Sequence, residues 1–202
     1  MSGSVCNQGT GFECENCEPE LVCNDVGLGL GTCCNNFLEV IEFTKSLVNS
    51  LSNIEVEQSY SLVGFGVDAE VAIDGVLPED ILISLDEIVY TGGRTNHAAA
   101  IDACTSTFGI DDSRNLMLLI TDGDPSEPRG SPQADAEMAA ATAKAAYDVF
   151  IIPVMIIPQF TTLVPEPLVY LSGISGDGTV FDVSDFDVLE SLQERLLAKM
   201  SC

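Results

Sequence analysis

Apolar and polar positions repeat along this chain with two different periods, and the switches between them mark out its elements. Phe37, Val40, Ile41, Phe43, Leu47 and Leu51 recur at spacings that suit one face of an amphipathic helix. Tyr60–Val67 and Glu70–Ile73 read as strands, and Pro78-Glu79-Asp80 opens a short helix after them. After Thr91-Gly92-Gly93 a helical segment is expected over Asn96–Phe108. Leu116–Thr121 is a run of mostly consecutive apolar residues, the mark of a strand buried on both faces. An alanine-rich helix from Gln133 to Tyr147 leads straight into a second such strand, Val149–Ile156. A short helix near Leu168–Leu171, a strand at Val180–Val183 and a terminal helix over Asp185–Met200 follow, the last with Ser184 as N-cap. Upstream, Leu21–Val26 reads as a further strand.

Strands that alternate with helices, several of them unbroken in apolar character, predict an α/β fold. The expected architecture is an open, doubly wound, mostly parallel sheet of about six strands flanked by helices. Residues 1–18 lack periodicity and are rich in Gly, Asn and Cys, so they read as a disulfide-pinned N-terminal extension, leaving 19–202 for the α/β domain.

Cysteine placement supports that division. The eight cysteines are Cys6, Cys14, Cys17, Cys23, Cys33, Cys34, Cys104 and Cys202, with all but the last two in the first 34 residues. An even set clustered at one end predicts a disulfide framework and an oxidising compartment, hence a secreted protein or a cell-surface ectodomain. Zinc is the rival at Cys14-Glu-Asn-Cys17, but a second pair at that spacing is missing and the only histidine, His97, is remote in sequence. Met1–Val5 lacks the basic start and apolar stretch of a signal peptide, which suggests a mature or excised chain. The longest nearly unbroken apolar run, Val149–Ile157, contains Pro153 and is too short to span a bilayer.

Charge narrows the partners. Seven basic against 32 acidic residues give a net charge of −25, while 46% of residues are hydrophobic. The second figure excludes a disordered acidic tail as a description of the whole, because a chain that apolar can bury a core. The first makes nucleic acid and anionic membrane poor partners, since polyanion binding needs a basic patch. Cations, basic proteins and mineral surfaces remain.

In open α/β sheets ligands bind beyond the carboxyl ends of the strands, and three such loops carry chemistry. They are Asp25-Val-Gly-Leu-Gly-Leu-Gly31, Tyr90-Thr-Gly-Gly-Arg-Thr-Asn96 and Ile120-Thr-Asp-Gly-Asp124. Together they offer carboxylates and a hydroxyl, the hard oxygen ligands that Mg²⁺ and Ca²⁺ prefer. Gly92 and Gly93 shape the second loop, because glycine adopts backbone angles that other residues resist. Here the chain resembles the von Willebrand factor type A domain, the adhesion module also called the I domain in integrins. The resemblance rests on Tyr90 to Ala100, on the Ile120–Gly123 strand end, on Asn36-Phe37, on Ser61–Gly66 and on the strand Val149–Val154, and it covers roughly residues 20 to 202.

The resemblance implies a metal ion-dependent adhesion site, built in that family from a first loop DxSxS, a threonine from the second loop and an aspartate from the third. By motif, Thr95 matches the threonine and Asp122 the aspartate. The first loop departs from the pattern. With Asp25 as its aspartate, Gly27 and Gly29 replace both serines; anchored instead on Asn36-Phe37, the aspartate position falls on Gly27 itself. The first register is preferred, because a carboxylate at a strand end is otherwise unexplained. Either way both serine hydroxyls are missing, so a site formed by Asp25, Thr95 and Asp122, with Asp124 beside it on the top face, should hold Mg²⁺ or Ca²⁺ weakly. The alternative is that these residues cap loops in a scaffold that has lost its metal. The same resemblance implies that a bridge from Cys104 to Cys33 or Cys34 could hold the top face together, and that Cys202 returns to the N-terminal cysteines.

Other chemistries fit less well. Gly27-Leu-Gly-Leu-Gly31 fails the dinucleotide fingerprint, whose third glycine or alanine would fall on Thr32 or Cys34. Asp122-Gly-Asp124 faintly resembles the loop of Mg²⁺-dependent aspartyl phosphotransferases, but no fitting downstream lysine and acidic pair accompanies it. His97 is expected on the surface of the second loop's helix, and Asp111, Asp112 and Glu127 as solvated loop charges. The expectation is an extracellular adhesion or protein-binding module that is not an enzyme. Its partner would be a protein ligand, or a matrix or mineral component if the acidic surface itself is the binding element.

Overall fold

The computed structural model of the chain describes residues 33–53, 58–88, 94–109, 115–121, 124–156, 165–183 and 194. They fall into two compact units, one formed from Met1–Tyr60 with Val76–Gly93 and the other from Ser61–Gly75 with Arg94–Cys202. The expected strand Leu21–Val26 lies outside the described residues, as does the terminal helix apart from Glu194, which is helical.

In the first unit, helix α1 (Cys33–Leu51) packs against α2 (Pro78–Glu87). Phe43, Leu47 and Leu51 recur every fourth residue and are buried, with Ile41 and Val48 widening the stripe. Ile81 and Leu85 are the buried positions of α2. Pro78 starts that helix at a position where a missing N–H costs nothing, and Glu79 and Asp80 favour its positive end. Lys45 ties the helices together by reaching Glu42 at 2.9 Å and Asp86 at 2.5 Å.

The second unit begins with a hairpin of β1 (Tyr60–Phe65) and β2 (Ala69–Val76). The short connection Gly66–Asp68 permits only antiparallel strands, and Gly66 N donates to Asp68 O at 2.8 Å. Three further strands form a parallel sheet in the order β3 (Leu116–Thr121), β4 (Phe150–Ile156), β5 (Phe181–Val183). Helices α3 (His97–Thr105), α4 (Pro132–Tyr147) and α5 (Pro165–Ile174) alternate with them. The α/β class and the parallel character of this sheet thus agree with expectation, and each element from Cys33 to Val183 falls where the periodicity places it, within a few residues. Helix α3 stops at Thr105 rather than Phe108. There the hydroxyls of Thr105, Ser106 and Thr107 donate to the carbonyls of Ile101, Ala103 and Cys104, which draws the backbone out of helical pairing.

Pro153 sits inside β4, a position where a missing N–H would ordinarily break a ladder. Ile151 O accepts from Gly176 N at 2.8 Å, so odd-numbered residues of β4 present their backbone groups toward β5. The β4–β5 pairing begins only at Val154 opposite Phe181, and Pro153 therefore precedes any demand on that side. The core lies between this sheet and the helices. Ala136, Ala139, Ala140 and Ala143 form one face of α4, and their small side chains let α3 approach closely. Ile101, Ile151 and Leu171 are fully enclosed in the same cluster. Ile152 and Val154 point to the opposite face of β4 and are buried as well, which is why the strand reads as continuously apolar.

Candidate functional site

The end of the second loop is built from Arg94, Thr95 and Asn96, which lead directly into α3. Asn96 caps the helix: its side-chain oxygen accepts from Ala99 N at 3.0 Å, and its amide donates to Val67 O in the hairpin turn at 2.8 Å. Thr95 is held by its backbone on both sides. Its carbonyl accepts from Ser126 N at 2.8 Å and Glu127 N at 3.0 Å, and its N–H donates to the Ser126 hydroxyl at 3.1 Å. These bonds join the second loop to the chain that follows β3. Arg94 adds an ion pair to Glu127, and Arg129 Nε approaches the same carboxylate at 3.8 Å. Glu127 is buried by its surroundings, so the expected solvated loop charge is corrected to an enclosed, paired one; two guanidinium groups supply the compensation that enclosure requires. The Glu127-Pro128 peptide bond is cis. Asp111 and Asp112 lie outside the described residues.

Beneath this clamp stands a second connection. His97 is fully buried, with Nε2 2.9 Å from Thr121 Oγ1 at the end of β3 and Nδ1 3.1 Å from the hydroxyl of Tyr170 in α5. Its ring is stacked parallel to that of Tyr170, and Phe65 of β1 meets it edge-on at 5.9 Å. The expected surface position of His97 is therefore corrected. It occupies the first turn of α3 on the inward face, in register with Ala100, Ile101 and Cys104, and that spacing was the available signal. Burial favours the neutral ring and lowers the His97 pKa to about 4. Burial likewise pushes the Tyr170 phenol up, with Glu137 and then Asp124 adding to the effect. A neutral imidazole has one donor and one acceptor nitrogen. In either tautomer one ring nitrogen donates and the other accepts, and the hydroxyls of Tyr170 and Thr121, which can each do both, satisfy the pair.

Of the three residues expected to hold a metal, the structure describes Thr95, half-buried at the loop end; of the others expected on the top face it describes Asp124, half-buried with its carboxylate accepting from Gln133 Nε2 of α4 at 3.2 Å. Asp25, Gly27, Gly29, Gly92, Gly93 and Asp122 lie outside the described residues, as do Cys6, Cys14, Cys17, Cys23 and Cys202. Among the described residues, no group of three or more His, Cys, Asp and Glu could hold a metal ion. The donor set proposed by motif is oxygen-only, which suits a hard cation, but two positions of its first loop are glycines with no side chain to offer. Cys33 and Cys34 open α1. Cys104 is a half-buried free thiol, and burial pushes it up to about 11. Among the described residues, no helix is long and apolar enough to cross a membrane.

Comparison with known proteins places this geometry. The family model of the von Willebrand factor type A domain matches residues 34–195. Among solved structures, proximal thread matrix protein 1 from the mussel byssus is similar, with a TM-score of 0.66 and 22% identity over 80% of this chain and 42% of that one. The pilus adhesin SpaC from Lactobacillus rhamnosus GG, in its open conformation, aligns with a TM-score of 0.67 and 13% identity over 84% of this chain and 28% of that one. The minor pilin PilB from Streptococcus sanguinis aligns with a TM-score of 0.66 and 11% identity over 81% and 54%. This chain therefore spans less than two thirds of the length of each, and at these identities the likeness is one of fold. No curated protein matches the chain.

Proposed function

Given that the chain belongs to the von Willebrand factor type A domain family, we propose that it is an extracellular adhesion or protein-binding module that engages its partner through the loops at the carboxyl ends of the strands. The observation that carries this reading is the bracing of Thr95. With its carbonyl and N–H both bonded to the segment 126–127, Thr95 is held in place before any ligand arrives, which lowers the ordering cost of binding. The similar structures are named as a matrix protein, a pilus adhesin and a minor pilin, all consistent with work outside the cell. The role is binding without catalysis.

Asp25, Thr95 and Asp122 would hold Mg²⁺ or Ca²⁺, and the ion would supply an electrophilic point for an acidic group of the partner. Gly27 and Gly29 supply no hydroxyl, so water would complete the coordination and affinity would be low. Gly92, Gly93 and Asp124 would shape the same face. In the complete domain, residues 19–202, the sheet would have about six strands, preceded by an extension at 1–18 held by disulfides among the N-terminal cysteines and Cys202.

The net charge of −25 favours a second reading, a structural matrix or biomineral-associated protein that binds Ca²⁺ or a mineral through its whole surface. One experiment separates the two. Wild type and Asp122→Ala are compared for binding to an immobilised extracellular matrix protein, with Mn²⁺ or with chelator, and for adsorption to calcium carbonate. The adhesion reading expects matrix binding that needs Mn²⁺ and Asp122 while adsorption is unchanged. Adsorption without any metal-dependent matrix binding favours the surface reading instead.

A further inference from the structure

The His97 cluster joins four elements that the candidate site needs in register. His97 is the first residue of α3 and follows Thr95 by a single intervening residue; Thr121 ends β3; Tyr170 lies in α5; Phe65 ends β1. A buried polar group with both ring nitrogens bonded fixes distance as well as direction, because losing either partner leaves an unsatisfied atom in a dry interior. The outer clamp alone, from Thr95 to Ser126 and Glu127, ties one loop to another but anchors neither to the core. His97 does both.

We infer that His97 is a positioning residue of the top face, holding the Thr95 loop against the end of β3, and that through its bond to Tyr170 the geometry of these loops depends on α5. The functional consequence rests on the adhesion reading; the structural coupling does not. Tyr170 is directed by Nδ1 of His97 and has its ring stacked on the imidazole at 5.8 Å, so any displacement of α5 either carries the imidazole with it or breaks the bond. Displacing the imidazole moves the first turn of α3, and with it the Asn96 cap and the Thr95 carbonyl that Ser126 and Glu127 share. A partner that engaged α5, or a substitution there, would thereby tune the top face without touching it.

The test is amide hydrogen exchange in wild type, Tyr170→Phe and His97→Gln. Tyr170→Phe keeps the ring and its stacking but removes the hydroxyl bonded to Nδ1. Exchange at Ser126 N and Glu127 N, which donate to Thr95, is expected to accelerate about tenfold, the equivalent of one weakened buried hydrogen bond. Ala143 in α4 serves as the unaffected reference. His97→Gln, which removes the ring, its stack and its bond to Tyr170, is expected to accelerate the same two amides at least as much as Tyr170→Phe does. Faster exchange confined to α5, with Ser126 and Glu127 unchanged in both variants, would overturn the inference. A parallel Mn²⁺ titration of wild type keeps the two readings apart: absence of binding there removes the metal reading, while the exchange result still decides the coupling.

Discussion

His97 and Thr121 meet at 2.9 Å in the interior, joining the first turn of α3 to the last residue of β3 through a neutral imidazole. Because the ring is buried, protonating it inside the fold is unfavourable, and its pKa falls from 6.5 to about 4. The unfolded chain therefore binds this proton more readily than the folded one across that interval. Stability from this source is complete above pH 6.5 and is lost as pH falls toward 4, by about 3 kcal/mol in all. Denaturant unfolding of wild type and His97→Gln between pH 7 and 4, with chelator present, should show a steeper loss in wild type. Equal slopes would contradict the assignment.

Glu127 faces Arg94 and Arg129, and its own N–H donates to Thr95. Glu127→Gln keeps the backbone bond and the shape but leaves two guanidinium groups without their carboxylate. A loss of about 1 kcal/mol is expected, modest because Arg94 is half-exposed, and it should shrink as salt is raised. Thermal unfolding at low and high ionic strength checks both the size and the salt dependence.

Gly176 marks a close approach rather than a turn. A Cβ there would lie 2.6 Å from Phe150 Cδ2, and the Gly176 N–H is already committed to Ile151 O. Gly176→Ala should cost about 1–3 kcal/mol by forcing the ring of Phe150 aside. Adding Phe150→Leu should recover part of that loss, as measured by the denaturation midpoint of the double variant.

The opposite effect is expected at the end of α4. Asp148 closes that helix in the left-handed region, φ 50° and ψ 41°, which costs a side chain more than it costs glycine. Asp148→Gly should stabilise by about 0.5–1 kcal/mol and Asp148→Val should destabilise, both read by the shift in Tm.

These sites show how much was legible in the residues alone. The α/β class was, because Leu116–Thr121 and Phe150–Ile156 are apolar on both faces and the helices between them carry clear inward stripes. Thr95 was legible as part of a motif, but the bracing by Ser126 and Glu127 was not, since it depends on a contact between backbone atoms far apart in sequence. His97 read as a surface residue because polarity outweighed its periodicity. Only the fold reveals that Tyr170 and Thr121 are waiting to satisfy it. Glu127 misled for the same reason, its enclosure being set by Arg94 across a loop and not by its neighbours in sequence.

Cys104 offers a chemical probe of the same interior. As a half-buried free thiol with its pKa raised to about 11 by burial, it holds little thiolate near neutrality. Alkylation by iodoacetamide at pH 8 should be slower in the native protein than in the unfolded chain, on the order of a hundredfold. Quantitative mass spectrometry of the Cys104 peptide measures the ratio, and comparable rates would show the thiol to be open.

The central claim, that the strand-end loops rather than the acidic surface at large form the binding face, is tested most directly by substoichiometric Mn²⁺ and nuclear magnetic resonance. Paramagnetic broadening should concentrate on the amides of Thr95, Asn96, Asp124 and Ser126, and should disappear in Asp122→Ala. Broadening spread over the exposed acids of α1, α2 and α4, and unchanged by that substitution, would contradict it.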